Sequence, residues 1–244
     1  LEQCAGTVKR TSMELGGNAP FIVFDDADLD KAIDGIMVAK FRNAGQTCVC
    51  ANRILVQDGI YDAFLARFVR RVAALRLGDG ADPETQIGPL IDRRAVAKVR
   101  SLIDGAVAEG ASLATGGVSH PAGENFVAPT ILTGVTPDMD IARSEIFGPV
   151  ASVIRFATEA EAVAIANDTP YGLAAYIYAS GMARIWRVME QLEYGIIGVN
   201  EGVISTEVAP FGGMKESGLG REGSRHGITD YLELKYVLLG GIAA

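Results

Sequence analysis

The sequence predicts an α/β fold with a mostly parallel sheet flanked by helices. Two observations carry this prediction. Short apolar runs of strand length alternate with longer segments in which the apolar residues keep helical spacing. The connections between them are rich in Gly, Pro and Asp, and this alternation is typical of sheets covered by helices on both faces. A chain of 244 residues can bury a sizeable core, as one large domain or two small ones.

The first predicted unit is a strand, a helix and a second strand. Residues 21–24 form an apolar run bounded by Pro20 and Asp25, which predicts a buried strand. Asp25, Asp26 and Asp28 are candidate N-caps for the helix that follows. The apolar positions of that helix are Leu29, Ile33, Ile36, Met37 and Phe41. It is expected to end at Asn43-Ala44-Gly45, and residues 53–57 predict the next strand.

The rest of the chain continues the alternation. Thr158 and Glu161 form a capping box for a helix that reaches Ala166. Other apolar stripes predict helices over residues 61–72, 95–107 and 185–192. Further strands are predicted over residues 150–156, 173–179 and 195–199, an extended segment over 127–135, and loops over 78–90 and 118–125.

The segment near the C-terminus has a period of two. Leu232, Leu234, Tyr236 and Leu238 alternate with other side chains, which predicts one more strand over residues 231–238. A lone strand must pair with a sheet edge. That edge belongs either to the chain's own sheet or to a second subunit, and the pattern leaves both open.

Composition and charge narrow the possible partners. Hydrophobic content is 49% and charged content 21%, which is ordinary for a soluble globular protein. A net charge of −8 argues against nucleic acid and anionic membrane surfaces. No apolar run approaches the ~18 residues of a spanning helix, and the first six residues lack the features of a signal peptide. Three cysteines are a sparse, odd set, which favours a reducing cytoplasm.

Cys48 is the candidate nucleophile. It follows the predicted helix on a turn that contains Gly45 and precedes the next apolar run. A thiol placed there is partly exposed and fixed in direction, which suits nucleophilic attack. Cysteine is also one of the commonest core residues, so the spacing alone leaves both roles open.

Four motifs, in the same order, resemble those of the aldehyde dehydrogenase superfamily. Residues 45–48 (GQTC) resemble its nucleophile motif and residues 13–18 (MELGGN) its general-base motif. Residues 145–149 (EIFGP) resemble its cofactor-contact motif. Its C-terminal signature is matched by residues 210–215 (PFGGMK) and 217–222 (SGLGRE). The sequence around Cys48 is most similar to succinate-semialdehyde dehydrogenases.

The resemblance implies a Rossmann-like catalytic domain and a domain order. Residues 1–16 would be the trailing edge of an NAD(P)-binding domain, residues 17–222 the catalytic domain, and residues 223–244 an oligomerisation segment in a homodimer or homotetramer. The chain is then expected to be the C-terminal half of a longer protein. In line with this, no predicted strand is followed by a G-x-G-x-x-G turn that opens a helix, which is the arrangement that binds a dinucleotide.

The implied reaction is oxidation of succinate semialdehyde to succinate with NAD or NADP. Cys48 would form a thiohemiacetal and then a thioester, and Glu14 would be the base for the hydrolytic water. The Cys48 backbone N–H would help to hold the oxyanion. Glu145 would accept hydrogen bonds from the ribose of the cofactor, Phe147 would pack against it, and the Leu15 carbonyl would meet its carboxamide.

Arg42 and Ser205 are the implied substrate contacts. In succinate-semialdehyde dehydrogenases the matching residues bind the far carboxylate, a task that suits a guanidinium. The positive charge of an Arg at a helix C-terminus also interacts favourably with the helix dipole, so a structural role for Arg42 stays open.

The remaining cysteines and histidines carry weaker predictions. Cys50 is either a core residue or a redox partner of Cys48, although a disulfide two residues apart needs unusual geometry. Cys4 is expected to be inert. Neither His120 nor His226 falls in a metal-spaced cluster, so no metal is expected.

Three alternative functions remain open. The first is an aldehyde dehydrogenase for another substrate, such as glutarate semialdehyde or a neutral aldehyde. The second is a cofactor-independent thiol esterase. The third is a non-catalytic fragment that only folds and oligomerises. The choice between NAD and NADP is also open.

Overall fold

The computed structural model describes residues 1–117 and 122–241, and their fold is α/β as predicted. The helices in this part of the chain are α1 (Glu2–Ala5), α2 (Leu29–Phe41), α3 (Tyr61–Ala73), α4 (Arg93–Ala108), α5 (Asp140–Arg143), α6 (Glu159–Asn167) and α7 (Met182–Gln191). The 3-10 helices are Arg42–Gly45, Asp58–Ile60 and Thr229–Tyr231. The strands are β1 (Met13–Glu14), β2 (Ala19–Val23), β3 (Ala51–Gln57), β4 (Ser112–Thr115), β5 (Thr130–Thr133), β6 (Val150–Phe156), β7 (Tyr171–Gly172), β8 (Ala174–Tyr178), β9 (Ile196–Val199), β10 (Met214–Lys215) and β11 (Gly218–Leu219).

A seven-stranded sheet forms the centre of the fold. Its strand order is β4-β5-β6-β3-β2-β8-β9, and every pair in it is parallel except β4 with β5. All residues of β2 and β8 are buried, as expected for central parallel strands. Two short antiparallel ladders, β1 with β11 and β7 with β10, lie outside this sheet.

Helices cover both faces of the sheet, as two successive residues of β3 demonstrate. The Asn52 side chain accepts a hydrogen bond from Lys40 at the end of α2 (3.0 Å). The Arg53 guanidinium donates to the carbonyls of Ile165 and Ala166 in α6 (2.8 and 2.9 Å). Successive side chains of a strand point to opposite faces, so α2 and α6 lie on opposite sides of the sheet.

The predicted helix that leads to Cys48 forms with the predicted boundaries. Asp28 is its N-cap, and the carboxylate accepts hydrogen bonds from the N–H groups of Asp30 and Lys31. The helix ends at Phe41, and Asn43, Ala44 and Gly45 all adopt positive φ angles. A left-handed residue other than Gly costs about 1–2 kcal/mol, so the chain turns sharply here at an energetic cost.

The other predicted helices and strands are present within a few residues of their expected ends, with β5 occupying only residues 130–133 of the extended segment. The sequence patterns missed β4 and four strands of two residues each, which are β1, β7, β10 and β11. Strands this short carry no periodicity. The predicted loop over residues 118–125 lies partly outside the described residues, which resume at Ala122.

The predicted strand over residues 231–238 is wrong for the single chain. The 3-10 helix Thr229–Tyr231 begins this region, and residues 232–241 belong to no helix or strand. The alternative in which this segment closes the chain's own sheet is therefore excluded. Arg10 donates to the Leu232 carbonyl and pairs with Glu233 (3.3 Å), while the apolar side chains of Leu234 and Tyr236 are exposed. A period of two produces a strand only where a free edge lies alongside.

In the part of the chain that the structure covers, none of the helices combines the length and the apolar character needed to cross a bilayer.

Candidate active site

The candidate site lies at the edge of the sheet where the parallel strands begin. Cys48 precedes β3, the Gly16-Gly17 pair precedes β2, and Glu145 and Phe147 precede β6. The strands β2, β3 and β6 are parallel, and β3 lies between the other two. Segments that are more than a hundred residues apart in sequence therefore meet at one edge.

Cys48 lies on a constrained turn. The side-chain amide of Asn43 donates to the Gln46 carbonyl (3.0 Å), and the Gln46 amide donates back to the Asn43 carbonyl (3.1 Å). The Cys50 N–H donates to the Thr47 carbonyl (3.1 Å) and closes the turn around the thiol. The Cys48 side chain is half-buried, so its thiol is fixed in direction and still reachable.

The surroundings of Cys48 favour the protonated thiol. Burial raises its pKa, and the nearby carboxylates of Glu14 and Glu145 raise it further. The backbone N–H groups of Cys48 and Val49 face the sulfur and act in the opposite direction, but the net shift is upward. Attack by this thiol therefore requires that its proton be taken by a base, and the two N–H groups then favour the negative charge.

Glu14 is a half-buried residue held by the β1–β11 ladder. Its strand pairs Glu14 with Gly218, and the next N–H, that of Leu15, donates to the Ser217 carbonyl (3.1 Å). A Cβ atom at Gly212 would stand 3.0 Å from Glu14 Oε1, so the carboxyl packs against that glycine. Among the described residues, Glu14 Oε2 is buried without a hydrogen-bond partner.

The pKa of Glu14 is raised, first by burial and then by the carboxylate of Glu222, against the opposing charge of Arg221. A carboxyl group whose pKa moves towards neutrality is a stronger general base than an ordinary surface glutamate. The position and the electrostatics of Glu14 thus suit the task of taking a proton from the thiol or from water.

Gly16 and Gly17 bring Glu145 and Cys48 together. The Gly17 N–H donates to Glu145 Oε1 (3.0 Å), and a Cβ atom at Gly16 would stand only 2.8 Å from Glu145 Oε2. A Cβ atom at Gly17 would overlap the Cys48 carbonyl oxygen. Lys98 donates to the backbone carbonyl of Glu145 (2.7 Å) and fixes that segment to α4. The glycine pair therefore allows a carboxylate and the thiol segment, residues 46–50, to approach the same backbone.

The residues implied as cofactor contacts form the exposed rim of this edge. Leu15 and Phe147 both present large apolar side chains to solvent, and Phe147 has a left-handed φ of 57°. Burial raises the pKa of Glu145, and the Gly17 N–H and the Lys98 charge oppose the shift. An apolar rim, a carboxylate acceptor and a side-chain-free glycine backbone fit the nicotinamide and ribose of NAD or NADP.

Arg42 and Ser205 lie on two different segments, Arg42 directly after α2 and Ser205 in the loop after β9. Arg42 is exposed and makes no ion pair within residues 1–117 and 122–241. Burial raises the pKa of Tyr176, the charge of Arg42 opposes this shift and the Cys48 sulfur adds to it, so Arg42 and Cys48 both lie within electrostatic reach of the same phenol. Ser205 is exposed in the loop after β9, and Gly202 of that loop packs on Gly35 of α2.

Cys50 is buried, and its sulfur lies 3.3 Å from Lys40 Nζ. Cys4, Cys48 and Cys50 are all free thiols. Pairing of Cys50 with Cys48 therefore stays a prediction. His226 is exposed, and His120 lies outside the described residues. No group of three or more potential metal-binding side chains occurs in the described part of the chain.

Sequence reasoning missed three side chains that hold this site together. Lys40 is fully buried under the thiol segment, Tyr176 donates to the Val49 carbonyl (2.8 Å), and Ser217 Oγ donates to the Gly16 carbonyl (2.7 Å). Helical spacing could have found one of them, because Lys40 lies four residues after Ile36 on the buried side of α2. The other two carry no local signal.

Comparison with known proteins was made by sequence and by structure. Residues 1–237 match the model of the Aldehyde dehydrogenase family. The chain is 58% identical over 240 residues to the succinate-semialdehyde dehydrogenase [NADP(+)] GabD of Escherichia coli, covering 98% of this chain and 50% of that protein. It is 57% identical over 242 residues to a glutarate-semialdehyde dehydrogenase of Pseudomonas aeruginosa, covering 99% and 50%.

A solved structure described as an NADP-dependent enzyme of E. coli is also similar. It has a TM-score of 0.95 and 58% identity, and the match covers 97% of this chain and 49% of that one. The chain thus spans about half the length of the curated relatives that it matches.

Proposed function

We propose, from the premise that this chain belongs to the aldehyde dehydrogenase family, that it supplies the catalytic part of an NAD(P)-dependent oxidation of succinate semialdehyde to succinate. One observation carries the proposal. Gly16 and Gly17 bring the Glu145 carboxylate and the Cys48 segment to the same backbone, within the electrostatic reach of Glu14. A nucleophile, a base and a cofactor-binding carboxylate are thereby assembled at one edge of the sheet.

Cys48 forms the bond to substrate. After Glu14 takes the thiol proton, the Cys48 sulfur adds to the aldehyde carbon, and the Cys48 N–H donates to the oxygen that becomes negative. When bound, the nicotinamide ring of NAD or NADP accepts the hydride that leaves this carbon. The carbon is then a thioester on Cys48, oxidised by two electrons relative to the aldehyde.

Glu14 completes the cycle by activating water. Glu14 first releases the thiol proton to solvent, and its raised pKa then lets it take a proton from a water molecule that attacks the thioester carbon. The C–S bond breaks, and the leaving Cys48 thiolate takes the proton back from Glu14. The carboxylic acid loses its own proton to solvent and leaves as succinate. The buried, unpartnered Oε2 of Glu14 supports this role, because a water or thiol proton would give that oxygen a hydrogen-bond partner.

We assign the cofactor contacts to Glu145, Phe147 and Leu15. The carboxylate of Glu145 can accept hydrogen bonds from ribose hydroxyls, and the exposed Phe147 and Leu15 provide an apolar rim. NAD and NADP differ at a phosphate remote from this end, so both are compatible with these three residues.

Arg42 is the proposed contact for the far carboxylate of the substrate. Its guanidinium is exposed and unpaired within residues 1–117 and 122–241, and Ser205 can add a hydroxyl. The names of two relatives, for succinate and glutarate semialdehydes, both describe aldehydes that carry such a carboxylate. Glutarate semialdehyde is the alternative substrate for the same arrangement.

Alkylation of the thiols by iodoacetamide at neutral pH tests this function. Peptide mass spectrometry would measure the labelling of Cys4, Cys48 and Cys50 with and without succinate semialdehyde. Labelling of Cys48 that the aldehyde suppresses is expected. Labelling of Cys48 that the aldehyde does not alter would contradict the nucleophile role and favour a non-catalytic fragment.

The substrate contact has its own test in Arg42→Leu. Protection of Cys48 by succinate semialdehyde should weaken about tenfold or more, whereas protection by a neutral aldehyde of similar size should not change, because one charged hydrogen bond contributes about 1.5–3 kcal/mol. Arg70→Leu is the matched control, an exposed arginine in α3. Equal weakening for both aldehydes would contradict the contact. Ester hydrolysis that Glu145→Ala and added nicotinamide cofactor leave unchanged would instead favour a thiol esterase.

We also propose the domain order and the assembly. Residues 1–16 end the cofactor domain, residues 17–222 form the catalytic domain, and residues 223–244 contact a second subunit in a homodimer or homotetramer. The exposed apolar side chains of Leu234, Tyr236 and Leu238 support this assembly. Light scattering after size exclusion tests it: Leu234→Asp together with Leu238→Asp should lower the molar mass. The three free thiols support a cytoplasmic location.

A further inference from the structure

The segment of residues 46–50, here named the thiol segment, is held by two side chains that the proposed mechanism does not use. On one side, the Tyr176 hydroxyl donates to the Val49 carbonyl at 2.8 Å. On the other side, Lys40 Nζ lies 3.3 Å from Cys50 Sγ. Tyr176 is 1% exposed and Lys40 is 0% exposed.

Burying a lysine to this extent costs free energy of folding, because burial disfavours its charged form. Burial lowers the pKa of Lys40, and the Cys50 sulfur opposes this shift. The amine also donates to Asn52 Oδ1 at 3.0 Å, and no carboxylate of the described residues pairs with it. The amine therefore joins the last turn of α2 to residues 50 and 52, on either side of the start of β3.

Tyr176 fixes the peptide unit between Val49 and Cys50, the second unit after the nucleophile. Its hydroxyl holds the Val49 carbonyl, while Gly17 lies against the Cys48 carbonyl on the preceding peptide unit. The N–H groups of Cys48 and Val49 point to the Cys48 sulfur. The Val49 N–H belongs to the peptide unit whose carbonyl lies against Gly17. The Cys48 N–H belongs to the unit whose carbonyl, that of Thr47, accepts a hydrogen bond from the Cys50 N–H (3.1 Å), and the Cys50 N–H is part of the unit that Tyr176 holds. These contacts together keep both N–H groups directed at the reacting atom.

We propose that Tyr176 and Lys40 are positioning residues, which hold the thiol segment so that Cys48 and its two N–H donors meet the aldehyde carbonyl correctly. The proposal rests on the proposed role of Cys48 as the nucleophile. Catalytic groups need placement to within about 0.5 Å, and residues with locked rotamers behind them supply it. Tyr176 and Lys40 have no part in bond making and act through the backbone.

The charges around the thiol predict the effect of loosening this segment. Glu14 faces the sulfur from β1, and Glu145 faces it from the segment before β6, and both raise its pKa. Arg42 and Cys50 face Tyr176 on the other side. If the two N–H donors move away, nothing on the sulfur opposes the carboxylates, so the pKa of the Cys48 thiol rises and its thiolate becomes scarcer at neutral pH.

The test is the pH profile of Cys48 alkylation by iodoacetamide in the 244-residue chain. In Tyr176→Phe, which removes one hydroxyl, the midpoint should move to higher pH, and the rate at pH 7 should fall about threefold to tenfold. Tyr178→Phe is the matched control, the same exchange on the same strand, with its hydroxyl against Gly35 of α2 and not against the thiol segment. Its profile should coincide with that of the unaltered chain.

Lys40→Met is the second variant, and it should move the midpoint in the same direction. Variants that melt at a lower temperature but keep the midpoint of the unaltered chain would overturn the proposal, because they would reveal a merely structural role. An unaltered chain in which succinate semialdehyde does not slow the alkylation of Cys48 would refute the nucleophile assignment itself. The two failures are thus distinguishable.

Discussion

Gly17→Ala tests whether the thiol segment depends on the close approach of the glycine backbone. A Cβ atom at Gly17 would lie well inside 3.0 Å of the Cys48 carbonyl oxygen, a separation that real Cβ atoms do not adopt. The obstacle is backbone, so the strands β2 and β3 or the Cys48 peptide must shift. A displacement of about 1 Å at a reacting group costs about a hundredfold in rate, and overpacking costs about 1–3 kcal/mol of stability.

The assay combines Cys48 alkylation at neutral pH with urea unfolding followed by circular dichroism. Gly17→Ala should label Cys48 at least tenfold more slowly and unfold at lower urea. Gly105→Ala is the matched control, because a Cβ atom at Gly105 meets nothing within 4 Å inside α4. This control should be more stable by about 0.5–1 kcal/mol, since Ala favours helix over Gly. Normal labelling of Cys48 in a folded Gly17→Ala chain would refute the reasoning.

Three further predictions concern stability and its pH dependence. Burial raises the pKa of Glu14 in the folded chain above its usual 4.5, so ionisation of Glu14 lowers the free energy of unfolding. This loss of stability is absent below pH 4.5 and complete above the raised pKa. Glu14→Gln should therefore unfold at higher urea than the unaltered chain at pH 8 but not at pH 4, and an equal gain at both would contradict this. Asp28→Ala removes the N-cap of α2 and should cost about 1 kcal/mol in urea unfolding; no change would mean that solvent replaces the cap. Phe147→Gly relieves a left-handed φ and should raise stability by up to about 1 kcal/mol while weakening cofactor binding in a fluorescence titration; a loss of stability would show that the ring is needed for packing.

Local patterns predicted the helices and central strands because each depends on neighbours in sequence. Asp28 caps α2, and its apolar residues repeat every three to four positions, so the boundaries of this helix follow from a short segment. The strands β6 and β8 are likewise short apolar runs between turn residues. For the candidate site, the motif resemblance indicated Cys48, Glu14 and Glu145, and the structure brings these three together.

The parts that could not be predicted depend on distant contacts. Residues 231–238 have the right alternation for a strand, but within the described residues they pair with no strand. In sequence Tyr176 looks like an ordinary strand residue. The role of its hydroxyl depends on the hydrogen bond to the Val49 carbonyl, which is 127 positions away in sequence. The burial of Lys40 agrees with its helical spacing from Ile36, but nothing near it in sequence indicates that Asn52 and Cys50 will receive hydrogen bonds from its amine.

The ladder between β1 and β11 also sets the order in which the site can assemble. It joins Glu14 to Gly218, two residues at opposite ends of the catalytic region. Contacts between such distant residues close the largest loops and form late in folding. The thiol segment needs β2, α2, β3 and Tyr176 of β8 but not this ladder, so a folding intermediate can carry a shaped thiol turn before Glu14 is held in place. Reactivity of the thiol would then report early folding, and turnover would report its completion.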